Sequence, residues 1–324
     1  MKCISKLLCI VCAVSLFVTG CGFQQTTLEK EYDSYSYVNS YTNEDKTVNG
    51  EYYAKDLCVT NTINFGLEGT YARVAQGGGV FNITKNEVLY SQNLFKKLYP
   101  ASTTKILTAY IILKDCNLND VVIVSESAVD QEEDSSICGL KAGDNITVND
   151  LLYGLMLNSG NDAAEALAEY HSGTIEAFAE VMTQEAHKLG ATNSQFSNPS
   201  GLTDKEHYTT VYDMYLIFNE ALKNEKFVEI INTTSKSVKY TNVNGNTVEK
   251  TFRNGNKYLT GAEKAPKGIQ VIGGKTGTTY AAGFCLVLYS KNESGDEIIS
   301  IVFKADCRHN LYLLMNQILD KYAK

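Results

Sequence analysis

The chain has 324 residues, with 29 Lys and Arg against 37 Asp and Glu, for a net charge of −8. An acidic chain without basic runs has no electrostatic footprint for phosphate backbones, which excludes nucleic acid as a partner. Hydrophobic residues make up 44% of the chain and there is no Trp.

Residues 1–20 read as a targeting segment: Lys2 and Lys6 give a positive start, and Leu7 to Val18 is an apolar run too short to span a bilayer. Val18-Thr19-Gly20-Cys21 resembles a bacterial lipoprotein cleavage box, which would make Cys21 the lipid-bearing first residue of the mature chain. Several acyl chains on one cysteine anchor firmly, whereas one chain holds only marginally. The expectation is an extracytoplasmic protein, lipid-anchored to the bacterial cell membrane. Removing residues 1–20 takes two lysines and no acids, which shifts the charge to −10.

Residues 21–57 are rich in Tyr, Ser, Thr, Asn and Glu and poor in aliphatic residues. Such a segment cannot bury enough apolar surface to fold alone and reads as a flexible tether, a small strand-rich subdomain being the alternative. Residues 58–324 then form the catalytic domain, of a size for one domain with two lobes. Its cysteines are Cys58, Cys116, Cys138, Cys285 and Cys307, an odd number without a C-x-x-C pair and with little histidine nearby, so neither a metal site nor a cofactor is expected. One or two disulfides are permitted by the compartment, with a pairing that sequence does not give.

Along this domain, residues 71–91 predict two strands around a turn at Thr84-Lys85-Asn86-Glu87. After Pro100, Ile106 to Leu113 is apolar almost all round, the mark of a helix buried on every side. Residues 147–170 predict a helical region opened by a capping box of Thr147 and Asp150, interrupted after Leu157. Glu176 to Leu189 predicts a further helix, stopped at Gly190. Ile269 to Ile272 reads as a strand running into Lys275, and Phe284 to Tyr289 pairs with Ile298 to Phe303 across a turn. Leu311, Leu314, Met315, Ile318, Leu319 and Tyr322 lie at helical spacing, as on a helix packed against a sheet. Strands at both ends with helices between predict an α+β fold: an antiparallel sheet flanked by helices, plus an all-helical lobe.

Three short motifs carry the chemistry. In Ser102-Thr103-Thr104-Lys105 a hydroxyl sits where a helix begins, with an amine one turn along the same face. Apolar surroundings and a second cation favour the neutral amine, which can take the serine proton. In Ser159-Gly160-Asn161, at a break between helices, the hydroxyl can pass a proton to a leaving amine and the amide can hold Lys105 or a substrate amide; both residues are also good helix caps. In Lys275-Thr276-Gly277-Thr278, the lysine and the two hydroxyls can hold a carboxylate, and Gly277 lets a peptide approach the strand. The N–H groups of Ser102 and Thr278 would make an oxyanion hole. Each motif is weak alone; their order along one chain is the signal.

With Pro100-Ala101 before the first motif, Asp162-Ala163-Ala164 after the second, Asn198-Pro199-Ser200-Gly201-Leu202, and His207-Tyr208-Thr209-Thr210 with Asp213, the chain resembles the D-alanyl-D-alanine carboxypeptidases of the S11 serine peptidase family, low-molecular-weight penicillin-binding proteins. The resemblance implies a serine β-lactamase and penicillin-binding-protein transpeptidase-like fold. It also implies acylation of Ser102 by a peptidoglycan stem peptide, release of the terminal D-alanine, and covalent inhibition by β-lactam antibiotics. By the same resemblance Ser102, Lys105, Ser159 and Asn161 are catalytic, and Lys275, Thr276, Gly277, Thr278 and Arg308 bind substrate. His207 has no place in a Ser-Lys scheme and is expected to hold a loop. Family members commonly continue into a β-rich second domain and a C-terminal amphipathic anchor, in place of which the N-terminal lipid would serve. Thr183 departs from the family pattern.

Two other readings compete. A serine β-lactamase needs a base that hydrolyses the penicilloyl-enzyme, and Ser194 to Leu202 offers Gln195 and Asn198 but no Glu-x-x-Asn. A non-catalytic peptidoglycan- or β-lactam-binding lipoprotein would not need every motif intact. Carboxypeptidase, endopeptidase and transpeptidase share one acyl-enzyme, and the motifs do not separate them.

Overall fold

The structure, a computed structural model, describes residues 54–324. The signal segment, the lipidation position Cys21 and all but the last residues of the tether lie outside the described residues.

The first hairpin joins β1 (Gly77–Asn82) to β2 (Glu87–Gln92). Asn82 closes its turn, the side-chain oxygen accepting from the N–H groups of Thr84 and Lys85. The chain returns to this hairpin only at its far end, where β7 (Gln270–Thr279), β8 (Gly283–Lys291) and β9 (Glu297–Ala305) complete a five-stranded antiparallel sheet in the order β2-β1-β9-β8-β7. β7, which carries the third motif, is therefore an edge strand.

Both faces of this sheet are covered, which explains why β8 reads as an unbroken apolar run instead of an alternating one. Leu286 and Leu288 face one core with the helix Arg308–Tyr322, whose Leu311, Leu314, Met315, Ile318 and Leu319 are all buried. Cys285, Val287 and Tyr289 face the other core, shared with the central helices. Each such aliphatic side chain contributes roughly 1.5–3 kcal/mol by leaving water.

The second core is built round α1 (Lys105–Asp115), buried at Ile106, Leu107, Ala109, Ile111 and Ile112. It is enclosed by α3 (Val148–Leu157), α4 (Asn161–Ser172), α5 (Ile175–Lys188), α6 (Val211–Ala221) and α7 (Glu225–Asn232). Between α1 and α3 lies the short helix α2 (Glu126–Val129). Thr147 caps α3 as its sequence predicts, accepting from the Asp150 N–H at 3.1 Å. A one-turn helix, α8 (Lys257–Thr260), precedes β7, which makes the C-terminal helix α9.

The α+β reading holds, with one correction: the lobe expected to be all helix also carries a four-stranded antiparallel sheet. Its strands are β3 (Val121–Ile123), β4 (Asn145–Thr147), β5 (Ser235–Thr241) and β6 (Thr247–Arg253). Two of these strands are three residues long, too short for a period-2 pattern to register, and β5 and β6 are mostly exposed and polar apart from Val238, Tyr240 and Phe252. No helix among the described residues is long and apolar enough to cross a membrane, and the five cysteines of this region carry free thiols.

Candidate active site

Two turns and an edge strand converge where the five-stranded sheet meets the helical lobe. The first is a 3-10 turn, Ala101–Thr104, leading directly into α1. Ala101 takes a left-handed φ of +49°, costly for a residue with a Cβ, and Thr103 ties its hydroxyl to Pro100 O at 2.7 Å. The second is the break between α3 and α4, where Ser159 also has a left-handed φ, +58°. Gly160 beside it has no room for more: an added Cβ would lie 2.3 Å from Cys138 Sγ, so the middle position of this motif cannot here be an aspartate. The third is β7, where a Cβ on Gly277 would lie 2.9 Å from Ser102 N and 3.0 Å from Pro100 O. Glycine at this point lets the strand edge pack against the turn that carries Ser102.

These elements bring six predicted residues into two short hydrogen-bonded chains. Lys105 Nζ lies 3.2 Å from Ser102 Oγ, 2.8 Å from Asn161 Oδ1 and 2.6 Å from Ser200 O. Lys275 Nζ donates to Ser159 Oγ at 3.0 Å and to Thr276 O at 2.9 Å. Of the two roles open to Asn161, the grip on Lys105 falls to its side-chain oxygen. Both lysines are buried. Burial, and then the nearby Lys275 charge, push Lys105 well below the usual lysine range. Burial alone lowers Lys275 to about 7. A neutral Lys105 amine has two N–H bonds and one lone pair: the N–H bonds match the Asn161 and Ser200 oxygens, and the lone pair is left for the Ser102 O–H. The arrangement can therefore deprotonate a serine hydroxyl and, through Ser159 and Lys275, return a proton nearby.

Ser102 opens into a cavity of about 240 Å³ whose lining includes Ser159, Thr276, Gly277, Thr278 and Arg308. Four of the five predicted binding residues are thus gathered at one end of the nucleophile; the fifth, Lys275, is buried behind the cavity with its amine on Ser159 Oγ and Thr276 O. Arg253, at the end of β6, joins them. Sequence reasoning missed it, because it follows a polar strand with no motif around it. The Ser200 carbonyl was missed in a different way: its segment was visible as a family match, but a backbone oxygen leaves no residue-type signal.

His207 lies outside this chemistry. Its Nδ1 accepts from the Ser197 N–H at 3.2 Å, which leaves the hydrogen on Nε2 to donate to Thr104 Oγ1 at 2.8 Å. It ties the 197–207 loop to the turn of the nucleophile, as expected. Thr183 also has a structural partner on both sides, accepting from Phe196 N at 3.0 Å and donating to Phe196 O at 3.3 Å.

A profile of the S11 peptidases, described as D-alanyl-D-alanine carboxypeptidase, matches residues 76–307. The chain belongs to this family. Among S11 relatives, the Bacillus subtilis D-alanyl-D-alanine carboxypeptidase DacF is 32% identical over 240 residues, covering 72% of this chain and 58% of its own. The Streptomyces K15 D-alanyl-D-alanine carboxypeptidase is 33% identical over 240 residues, covering 70% of this chain and 80% of its own. The chain spans a little over half the length of the Bacillus relative. The crystal structure of the Streptomyces K15 DD-transpeptidase superposes with a TM-score of 0.68 at 30% identity, over 75% of this chain and 96% of that one. That of the Mycobacterium tuberculosis carboxypeptidase superposes with a TM-score of 0.67 at 28% identity, over 76% and 89%.

In this S11 chain, burial lowers His207 to about 4. An unfolded histidine protonates near 6.5, so between about 6.5 and 4 the unfolded state binds more protons and stability falls as pH falls, by about 3 kcal/mol in all. Melting temperatures between pH 7 and pH 4 should show that decline, and His207→Asn should flatten it. An unchanged slope in the variant contradicts the buried, neutral imidazole.

Proposed function

We propose that the protein is a serine-type D-alanyl-D-alanine carboxypeptidase, removing the terminal D-alanine from peptidoglycan stem peptides. The observation that carries this reading is the buried Lys105 amine, oriented by Asn161 and Ser200 and 3.2 Å from Ser102 Oγ. In the proposed reaction the Ser102 proton passes to Lys105 Nζ as Oγ attacks the carbonyl carbon of the penultimate D-alanine. The N–H groups of Ser102 and Thr278 receive the developing oxyanion. The C–N bond then breaks and the departing amine takes a proton through Ser159, whose hydroxyl is held by Lys275. Thr276, Thr278, Arg308 and Arg253 hold the carboxylate of the leaving residue. Water hydrolyses the Ser102 ester and frees the enzyme. A β-lactam enters the same step and leaves a longer-lived ester, because 194–202 places Gln195 and Asn198, and no carboxylate, on that loop. Both side chains are already engaged: Gln195 Oε1 accepts from the Tyr208 hydroxyl at 3.3 Å, and Asn198 Oδ1 accepts from the Ser200 and Gly201 N–H groups.

The full-length protein in detergent should release D-alanine from a diacetyl-Lys-D-Ala-D-Ala tripeptide, and Ser102→Ala should reduce release by at least about 10³-fold, the scale of losing a covalent nucleophile. Rapid nitrocefin turnover without D-alanine release would favour the β-lactamase reading instead.

We also propose that Cys21 carries the lipid that holds the enzyme at the outer side of the bacterial membrane, on the support of the Val18-Thr19-Gly20-Cys21 box alone. Mass spectrometry of the purified mature chain should find an acylated Cys21 at its N-terminus, and an unmodified N-terminus at another residue would refute it.

A further inference from the structure

The cleft is electrically polarised about its nucleophile. The cavity that takes the leaving residue contains Arg253 and Arg308 and no carboxylate. On the other side of Ser102 lies a second cavity, of about 180 Å³, lined by Glu132, Glu133 and Asp134 and by no cation. Ser102, Ser136 and Thr278 border both, so the reacting bond lies where the two meet. A substrate with its carboxylate at the arginine end must lay its acyl part along the acidic end.

Two further observations make this end a place for a ligand. Asn161 is only 4% exposed and lines this cavity. Its oxygen is taken by Lys105, while its Nδ2 hydrogens have no partner among the described residues. Amide hydrogens left unpaired at a cavity call for a carbonyl oxygen of the ligand. The acidic segment is also fixed to the catalytic turn: Asn161 N donates to Ser136 O at 2.8 Å, Asn158 Nδ2 to Ile137 O at 2.8 Å, and the Asp162 carboxylate accepts from Cys138 N at 2.8 Å and Leu140 N at 3.0 Å. Glu132, Glu133 and Asp134 have no ion-pair partner among the described residues. Three uncompensated carboxylates beside a carbonyl-binding amide match a peptide that carries an ammonium group a residue or so before the scissile bond.

We propose that Glu132, Glu133 and Asp134 form an acyl-side subsite for a cationic side chain, so that the enzyme prefers stem peptides whose residue before D-Ala-D-Ala has a free side-chain amine. The inference rests on the carboxypeptidase reading and adds its substrate preference. It distinguishes a stem with a free amine from one whose amine is acylated, as in a cross-link.

The test compares D-alanine release by the full-length protein from Nα-acetyl-Lys-D-Ala-D-Ala and from the same tripeptide acetylated at both nitrogens. Exposed charge pairs and their screening set the expectation: kcat/KM favours the free amine about fivefold at low salt, and the ratio drops towards one in about 0.5 M NaCl. In the variant Glu132→Gln, Glu133→Gln, Asp134→Asn the ratio falls to near one. Asparagine tolerates the left-handed φ of +69° at position 134, and the three single variants, read separately, cover the case of a misfolded triple. Equal release of D-alanine from both tripeptides by the wild type keeps the carboxypeptidase reading and overturns this inference. A preference that survives in the triple variant overturns the assignment to these residues. Release from neither tripeptide removes both.

Discussion

Lys105 Nζ is enclosed by protein, and the two oxygens it faces at under 3 Å, those of Asn161 and Ser200, each accept one N–H. A third N–H, as in the ammonium form, would have to point at Ser102 Oγ, the atom whose proton must leave. The rest of the site depends on that third position holding a lone pair. Burial supplies most of the bias towards the neutral amine, and the Lys275 charge supplies the next part. Aligned acceptors alone would favour the ammonium, so the apolar helix round that took shape around Lys105, with Ile106 and Leu107 following it, is part of the chemistry as well as of the core.

The fold supports this with strain and close approach. Ala101 and Ser159 hold left-handed backbones on either side of the cleft, and Gly277 brings the edge of a five-stranded sheet against the Ser102 turn. Such conformations survive only where the surroundings determine them. Here the surroundings are two cores that cover both faces of one sheet, so its edge strand cannot shift without disturbing either. His207 adds a neutral tie between the loop that offers the Ser200 carbonyl and the turn that offers Ser102.

Much of this was legible in the sequence, for definite reasons. The nucleophile, its amine and the Ser159-Lys275 pair are side-chain chemistry at fixed spacing, and their order along the chain survives without coordinates. The buried helix after Ser102 and the stripe from Leu311 to Leu319 announce themselves by periodicity. What stayed hidden lacks such marks. The four-stranded sheet is built from strands of three residues and from polar strands that are half exposed. Arg253 reaches the cleft only because the fold brings the end of β6 to the cavity that Arg308 also lines. The Ser200 carbonyl is backbone, and the exclusion of a side chain at Gly160 comes from Cys138, more than twenty residues earlier in the chain.

The measurement that tests the central claim most directly is a titration of the Lys105 side chain itself. In protein labelled with ¹³C at the lysine ε-carbon, the Lys105 resonance is identified by its loss in Lys105→Arg and followed with pH by NMR. The account predicts a Lys105 that loses its proton well below the ordinary lysine value of about 10.4. A Lys105 that titrates near that ordinary value would contradict it, because the amine nearest Ser102 would then be charged, with no lone pair to offer.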